Sequence, residues 1–473
     1  MSRVYRLYHG LFYATLAVCL LTLLVGDRSW MAGVVAFVHQ PPTAQVKEVL
    51  GLLLPVLLGA WVLCWAWPVY HNVLWHQHRL NALLALTSLI GSLWLADAYM
   101  GVAKPRHRRP DLVYDAWQAM RATDPRATVY NLFATLHQPD GASLVLLGGI
   151  PDSRTLLCNE NGFWVDYQSD RYGFRNPDTV WDQPTADVLL VGDSFTHGMC
   201  YNEPATLAGR LRQHGHKVIN MGYSGHGPLK ELASLKEFYE VGRAGTVVWL
   251  YYEGNDLANL YDDYPDERAL LSDLKTEWHT PELHRYLTPE YRQHYFDRIR
   301  RFGPELEVVR EHAFEHLARR KTEFKQRHPE DPTAALSLLN IRVAIKHAFN
   351  RPSKAYRPLP QKTRTRLLKR FGQVLAEARG QAEAHGSRMV FVYIPGQPTF
   401  ERRGPYPLYE QVLAEARQAG LPVVDLYAEL SSRMNPLGYY TRHLNTQGYR
   451  LAADLIHQAT MTTAANQPGR PNE

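Results

Sequence analysis

The chain has 473 residues, of which 45% are hydrophobic and 11% aromatic, a composition that excludes an intrinsically disordered protein. Its formal net charge of +6 is too small for a chain of this length to indicate a nucleic-acid-binding protein, and we expect no nucleic-acid partner. The length is sufficient for a membrane unit followed by one large soluble domain.

Three long apolar segments occur in the first hundred residues, at 10–26, 49–68 and 80–102. Each approaches the ~20 residues that a helix needs to cross a bilayer. The first segment lacks a small-residue cleavage site and two more segments follow it, which favours an uncleaved anchor over a signal peptide. The sequence therefore predicts a membrane anchor of three transmembrane helices over residues 1–103.

The remainder divides into three parts. A basic hinge and linker, beginning with the letters KPRHRRP, covers residues 104–150. A globular domain is expected over 151–463, followed by a polar tail at 464–473. If the N-terminus is inside the cell, Lys and Arg residues beside the predicted membrane segments are more numerous on the outer side, which opposes an exported domain. This positive-inside rule is weak for long domains.

The globular part alternates predicted strands with predicted helices. The segment 186–191 is a continuous apolar run, typical of a central parallel strand. Such βαβ alternation predicts an α/β fold, with a three-layer, doubly wound parallel sheet. The predicted strands are 186–191, 217–220, 246–252, 389–394 and 422–426, and the predicted helices lie near 204–214, 228–240, 363–385, 407–419 and 451–460.

A charged segment of helical pattern interrupts the predicted sheet at about 262–362. It contains an apolar stripe, which is more typical of a packing face than of a ligand site. The stripe consists of Leu336, Leu339, Val343 and Ala344. We expect this insertion to form a helical cap beside the site.

Unusual residues follow three of the predicted strands, where ligands bind in open α/β sheets. Asp193 and Ser194 follow the first strand, in a position equally typical of a helix N-cap. Gly225 lies in a glycine-rich loop after the second, where a backbone amide can approach a ligand. Asn255 and Asp256 follow the third, in what could also be a simple turn.

A histidine near the C-terminus completes this set. His443 precedes an apolar helix and lies on a segment that could return to the strand ends. The three groups at the strand ends and His443 make four sequence blocks. In order and spacing these blocks resemble those of the SGNH/GDSL hydrolases, over roughly 185–260 and 387–460. The resemblance implies that Ser194 is the nucleophile and His443 its general base. It also implies an oxyanion hole of the Ser194 and Gly225 amides with the Asn255 side chain.

The sequence departs from this family at one position. An aspartate usually stands two or three residues before the histidine and orients it, but Thr441 and Tyr440 occupy those positions here. Three interpretations stay open: a Ser–His dyad, orientation by a backbone carbonyl or a distant acid such as Asp425, or a degenerate site. Asp193 and Asp256 are possible supporting acids.

Cys158 and Cys200 are the two cysteines of the polar part of the chain, and Cys200 lies six residues after Ser194. We predict a disulfide between them, with two free buried thiols as the alternative. No Cys-x-x-Cys or His/Cys cluster indicates a metal site, and no cofactor is expected.

Upstream motifs resemble a bacterial subgroup associated with cell-envelope polysaccharide genes. They are Cys158-Asn159-Glu160 and the run from Tyr172 to Pro177. This resemblance implies a multi-pass protein of the bacterial inner membrane, with its soluble domain in the periplasm. The implied partners are a glycan or an acylated small molecule, membrane lipid, and a membrane-bound acyl-transfer protein.

The resemblance implies a serine esterase or O-acyltransferase that acts on ester groups, O-acetyl above all, of an envelope glycan. A lipid or thioester hydrolase is a second hypothesis, which a long apolar acyl channel would favour. The third is a non-catalytic glycan-binding or assembly subunit with a degenerate site, favoured by the missing aspartate.

Overall fold

The computed structural model describes residues 88–89, 91–93, 109–130, 135–137, 143–160, 162–260, 280–327, 360–401 and 404–465. The chain divides into two compact units, Met1–Ser92 and Leu93–Glu473. Nearly all described residues belong to the second unit, and it contains every element named below.

A five-stranded parallel sheet lies at the centre of this unit. Its strands follow the order β7–β6–β8–β9–β10, so the chain starts in the interior of the sheet and extends to both edges. That arrangement places a topological switch point between β6 and β8, where open α/β folds bind ligands. The strands are β6 (Ala186–Val191), β7 (Val218–Asn220), β8 (Ala244–Tyr252), β9 (Arg388–Ile394) and β10 (Val423–Asp425).

Both faces of this sheet are buried, which explains why its strands are apolar runs without alternation. Leu189 and Trp249 point into one hydrophobic cluster, whereas Leu190 and Leu250 point into another on the opposite face. Helices cover each face, and Val374 and Leu211 are examples of the buried residues they contribute. The result is a sheet sandwiched between two helical layers.

The helices of the unit vary from one turn to seven. The short ones begin directly at strand ends and position side chains, whereas the long ones cover the sheet or pack outside it. They are α1 (Pro110–Thr123), α2 (Ser194–His197), α3 (Leu207–Gln213), α4 (Pro228–Phe238), α5 (Asp256–Asn259), α6 (Pro281–His284), α7 (Tyr295–Ile299), α8 (Gly303–Arg327), α9 (Gln361–Ala384), α10 (Gln397–Glu401), α11 (Tyr409–Gln418), α12 (Leu426–Ser431) and α13 (Thr446–Ala465).

Two small sheets precede the large one in the chain. In the first, β1 pairs parallel to β4 and β4 pairs antiparallel to β5, so the sheet is mixed. The second is the antiparallel pair of β2 and β3. Their strands are β1 (Thr128–Val129), β2 (Thr135–His137), β3 (Ser143–Val145), β4 (Arg154–Cys158) and β5 (Val165–Gln168).

The predicted fold class is corrected in two respects. The prediction includes no mixed sheet, whereas the structure has one, formed by β1, β4 and β5. The prediction also includes three transmembrane helices before the globular domain. Within the described ranges, no helix combines the length and the hydrophobicity needed to cross a bilayer, because long helices such as α8 and α9 carry charged residues in most turns. The prediction of a multi-pass inner-membrane protein is therefore wrong on this finding. The segments predicted to span the membrane lie outside the described residues, apart from 88–89 and 91–93.

The predicted helical insertion at 262–362 is described in part. Residues 280–327 contain α6, α7 and α8. The apolar stripe from Leu336 to Ala344 lies outside the described residues.

Candidate active site

Ser194 begins α2 directly after β6, at the carboxyl edge of the central sheet. Asp193 caps this helix, since its carboxylate accepts a hydrogen bond from the Phe195 amide at 2.9 Å. A longer contact of 3.3 Å joins the Ser194 hydroxyl to the same carboxylate. Burial raises the pKa of Asp193. Asp193 therefore holds the turn that presents Ser194.

His443 lies on the loop before α13, and its Nε2 is 2.9 Å from Ser194 Oγ. A bridge between Tyr440 and Leu444 closes the loop around it. Asn445 fixes the far side, because its side chain accepts hydrogen bonds from two amides of the first turn of α13. The His443 ring also packs against Phe195, with ring centroids 4.8 Å apart.

The other ring nitrogen of His443 contacts an acid that sequence reasoning assigned no role. Nδ1 lies 3.0 Å from Oε2 of Glu160. The Glu160 side chain is only 2% exposed, compared with 18% for His443. In neutral His443, an Nδ1–H that donates to Glu160 leaves the Nε2 lone pair directed at the Ser194 hydroxyl. Ser194, His443 and Glu160 thus form a continuous hydrogen-bonded chain.

Asp425 and Thr441 stand at positions considered from the sequence for an acid that orients His443, and both have other hydrogen-bond partners. Asp425 caps α12 through the Ala428 amide and accepts a hydrogen bond from the Tyr409 hydroxyl. Thr441 donates its amide to the His443 carbonyl, and its hydroxyl lies 3.2 Å from the Tyr201 hydroxyl. The two ring nitrogens of His443 instead contact Glu160 and Ser194.

Gly225 lies in a tight turn between β7 and α4, with φ of +87°. The His226 amide closes this turn by donating to the Tyr223 carbonyl at 3.0 Å. The loop passes so close to α2 that a Cβ at Gly222 would overlap Thr196. Glycine is therefore required at both positions, and the close approach brings the Gly225 turn against the helix of Ser194.

A buried histidine holds the same loop. His197 Nδ1 accepts the Ser224 amide at 3.3 Å and also contacts the Ser224 hydroxyl at 3.0 Å. Because Nδ1 accepts this amide, the proton of the neutral ring is on Nε2, which lies 3.1 Å from the hydroxyl of Tyr167. Burial lowers the pKa of His197 well below its usual value, so the ring stays neutral. Thus α2 carries the nucleophile at one end and anchors the Gly225 loop at the other.

Asn255 and Asp256 follow β8, on the other side of the switch point. Asp256 is buried, and its carboxylate accepts the Tyr252 amide at 2.8 Å. The buried side-chain oxygen of Asn255 has no hydrogen-bond partner among the described residues. Asp256 therefore shapes the turn, whereas the Asn255 oxygen takes no part in holding it.

Residues of the motif at 172–177 hold the C-terminal end of α2 and the segment that follows it. Buried Arg175 donates to three carbonyls at the end of this helix: His197 at 3.3 Å, Gly198 at 2.9 Å and Tyr201 at 2.6 Å. Asn176 pairs with Asn220 at the end of β7, accepting its amide and donating to its carbonyl. The motif thereby ties α2 and the second strand end to one support.

A disulfide joins Cys158 to Cys200, with Cα atoms 5.4 Å apart. Cys158 ends β4 two residues before Glu160, and Cys200 follows α2. The bond therefore links the segment of the acid to the segment of the nucleophile. This proximity is the sequence signal that could have identified Glu160: it is the acid nearest in sequence to a cysteine expected to pair beside Ser194.

Comparison with known proteins adds no relative. The sequence matches no protein-family model, and no curated protein gives a significant match. The functional interpretation therefore depends on the chemistry of the site.

Proposed function

We propose that this protein is a serine esterase or O-acyltransferase of the SGNH type, with a Ser194–His443–Glu160 triad. The observation that carries the proposal is the position of His443, whose two ring nitrogens contact a serine hydroxyl and a buried carboxylate. A histidine oriented by an acid and hydrogen-bonded to a serine is the arrangement that activates serine for acyl transfer. The three groups come from segments that are far apart in the sequence. Their convergence at one point supports a functional role for the site.

In the proposed reaction, Ser194 Oγ attacks the carbonyl carbon of an ester while its proton moves to His443 Nε2. Glu160 stabilises the resulting imidazolium. The bond between the carbonyl carbon and the leaving oxygen then breaks, and His443 returns the proton to the departing alcohol. An acyl group remains on Ser194. Water completes hydrolysis, whereas a sugar hydroxyl completes transfer.

The tetrahedral intermediate carries a negative oxygen that needs donors. We assign this role to the Ser194 and Gly225 amides and the Asn255 side chain. The close approach of the loop of Gly225 to α2 supports the backbone donors. The place of Asn255 after β8, the strand beside β6, supports its side-chain NH₂ group as the third donor. Losing one such donor typically costs about 10²–10³-fold in turnover.

We further propose an O-acetylated glycan as substrate. Half-buried Tyr252 and Tyr201 contact residues next to the triad in the chain: the Tyr252 ring lies 4.4 Å from the ring of Phe195, and the Tyr201 hydroxyl contacts Thr441. Tyrosine offers an apolar face and a polar hydroxyl, a combination suited to sugar rings. A lipid or thioester substrate would need a long apolar channel instead.

Hydrolysis of a fluorogenic ester series tests both parts of the proposal. We expect activity on the acetyl ester that falls as the acyl chain is lengthened to octanoyl, and loss of activity in Ser194→Ala and His443→Ala. Ser432→Ala changes an exposed serine and serves as the matched control. Full activity in Ser194→Ala would reject the esterase, whereas a preference for octanoyl would reject the glycan and favour the lipid hypothesis.

A further inference from the structure

The disulfide spans the two halves of the triad. Glu160 lies two residues beyond Cys158, and Ser194 lies six residues before Cys200. One covalent bond therefore connects the loop of the acid to the turn that follows the nucleophile helix.

The Cys200 end of the bond is firmly held. Gly198 and Tyr201 flank Cys200, and both of their carbonyls accept hydrogen bonds from Arg175. Arg175 is itself buried, and its guanidinium packs on the Tyr167 ring at 5.2 Å. Cys200 is thus fixed to the same support as α2.

The Cys158 end of the bond lies at the end of β4, in the small mixed sheet. The ladder between β4 and β5 is irregular from Leu156 to Cys158, and Glu160 lies beyond Cys158, the last residue of β4 that pairs with β5. Among the described residues, the hydrophobic cluster that contains Cys158 has six buried members and is separate from the two larger clusters that cover the faces of the central sheet. Those residues are Leu157, Cys158, Val165, Tyr167, Met199 and Cys200.

Glu160 needs such a constraint because its carboxylate is buried. A carboxylate loses much of its hydration on burial, so a loop carrying one is drawn towards solvent unless other interactions retain it. The disulfide opposes that opening from a point two residues away.

We propose that the Cys158–Cys200 disulfide is a positioning element for catalysis, which keeps Glu160 in contact with His443. This inference rests on the proposed triad and extends it. Breaking the bond would let the acid loop relax, so that His443 loses its orientation while Ser194 and the central sheet stay in place.

A double-mutant cycle tests whether the disulfide acts through Glu160. Cys158→Ala/Cys200→Ala is compared in two backgrounds, the native chain and Glu160→Gln, with the fluorophosphonate labelling rate of Ser194 as readout. We expect the cysteine substitutions to slow labelling at least tenfold in the native background and less than twofold in Glu160→Gln. Cys19→Ala/Cys64→Ala, which leaves the bond intact, is the matched control.

Equal losses in the two backgrounds would overturn the proposal, because the disulfide would then act through general stability. If the alanine variant does not fold, reduction of the folded native chain and of Glu160→Gln provides the same comparison, with released thiols counted and activity measured after reoxidation. A native chain that shows no labelling at all would instead contradict the proposed function. The two failures are therefore distinguishable.

Discussion

The carboxylate of Glu160 lies 3.0 Å from Nδ1 of His443, although 283 residues separate them in the chain. In the proposed triad, this contact gives His443 the orienting acid for which no aspartate stands at position 440 or 441. It also gives an acid to a site that the sequence left open between a dyad, a distant acid and a degenerate centre.

Replacing Glu160 by Gln should lower kcat/KM by about 10³–10⁴-fold. The glutamine amide can donate to Nδ1, which places the imidazole proton on Nε2 and prevents that nitrogen from accepting the Ser194 proton. Steady-state kinetics on an acetyl ester measure the loss, with thermal unfolding as a check on folding. Asp425→Asn is the matched control, because Asp425 caps α12 and contacts Tyr409. A larger loss from Asp425→Asn than from Glu160→Gln would contradict the triad.

An aspartate at the position usual for the family should not rescue the Glu160→Gln variant. The Thr441 side chain contacts Tyr201, and its amide donates to the His443 carbonyl, so neither group is engaged with the His443 ring. We expect Glu160→Gln/Thr441→Asp to stay within about threefold of Glu160→Gln in kcat/KM, since nothing restores the imidazole tautomer. Recovery to within tenfold of the native chain would refute this account of the loop.

Local sequence patterns predicted the parts of the fold and site that depend on local structure. Strands such as 186–191 and 389–394 were found because burial on both faces makes them continuous apolar runs. Ser194 and Asn255 were singled out because each directly follows such a strand. The strands of the mixed sheet have two to five residues and lie outside the regular strand–helix alternation, which makes even three-residue strands such as β7 and β10 recognisable.

Other features depend on contacts that no local pattern records. Glu160 is one acid beyond the end of β4, and only the folded chain brings it to His443. The apolar runs in the first hundred residues were interpreted by length and hydrophobicity alone. Those two properties cannot replace an observed helix, and no described helix supports the membrane prediction.

Arg175→Met should destabilise the protein by about 2–4 kcal/mol, because hydrogen bonds from a buried, charged donor to three carbonyls are lost. The same change should slow labelling of Ser194, since those carbonyls end α2. Urea denaturation measures the free energy of unfolding. Arg171→Met removes a more exposed arginine of the same segment, which pairs with Asp178 and Asp182, and should cost less than about 1 kcal/mol. Equal losses would contradict the supporting role of Arg175.

Acid should destabilise the fold through two buried histidines. Burial lowers the pKa of both His197 and His226 well below the usual value, so the unfolded chain binds protons that the folded chain does not. Their contribution is present above about pH 6.5 and is lost as the pH falls below it, by up to about 1.4 kcal/mol per pH unit for each histidine.

The His226→Leu variant isolates one of these two contributions. Neither ring nitrogen of His226 has a hydrogen-bond partner among the described residues, so leucine removes the titrating group without breaking such a bond. Urea denaturation from pH 5 to 7 should give a shallower dependence of unfolding free energy on pH than the native chain. If the pH dependence of the variant equals that of the native chain, His226 binds its proton as readily in the folded chain as in the unfolded chain, and the account is wrong.

The most direct test of the central claim is to identify the residue that a fluorophosphonate probe modifies. Peptide mapping by mass spectrometry should find the adduct on Ser194, and both Ser194→Ala and His443→Ala should abolish or strongly suppress it. Glu160→Gln should be modified at the same serine, but slowly. An adduct on another serine, or labelling that persists in Ser194→Ala, would contradict the assignment of Ser194 as the nucleophile.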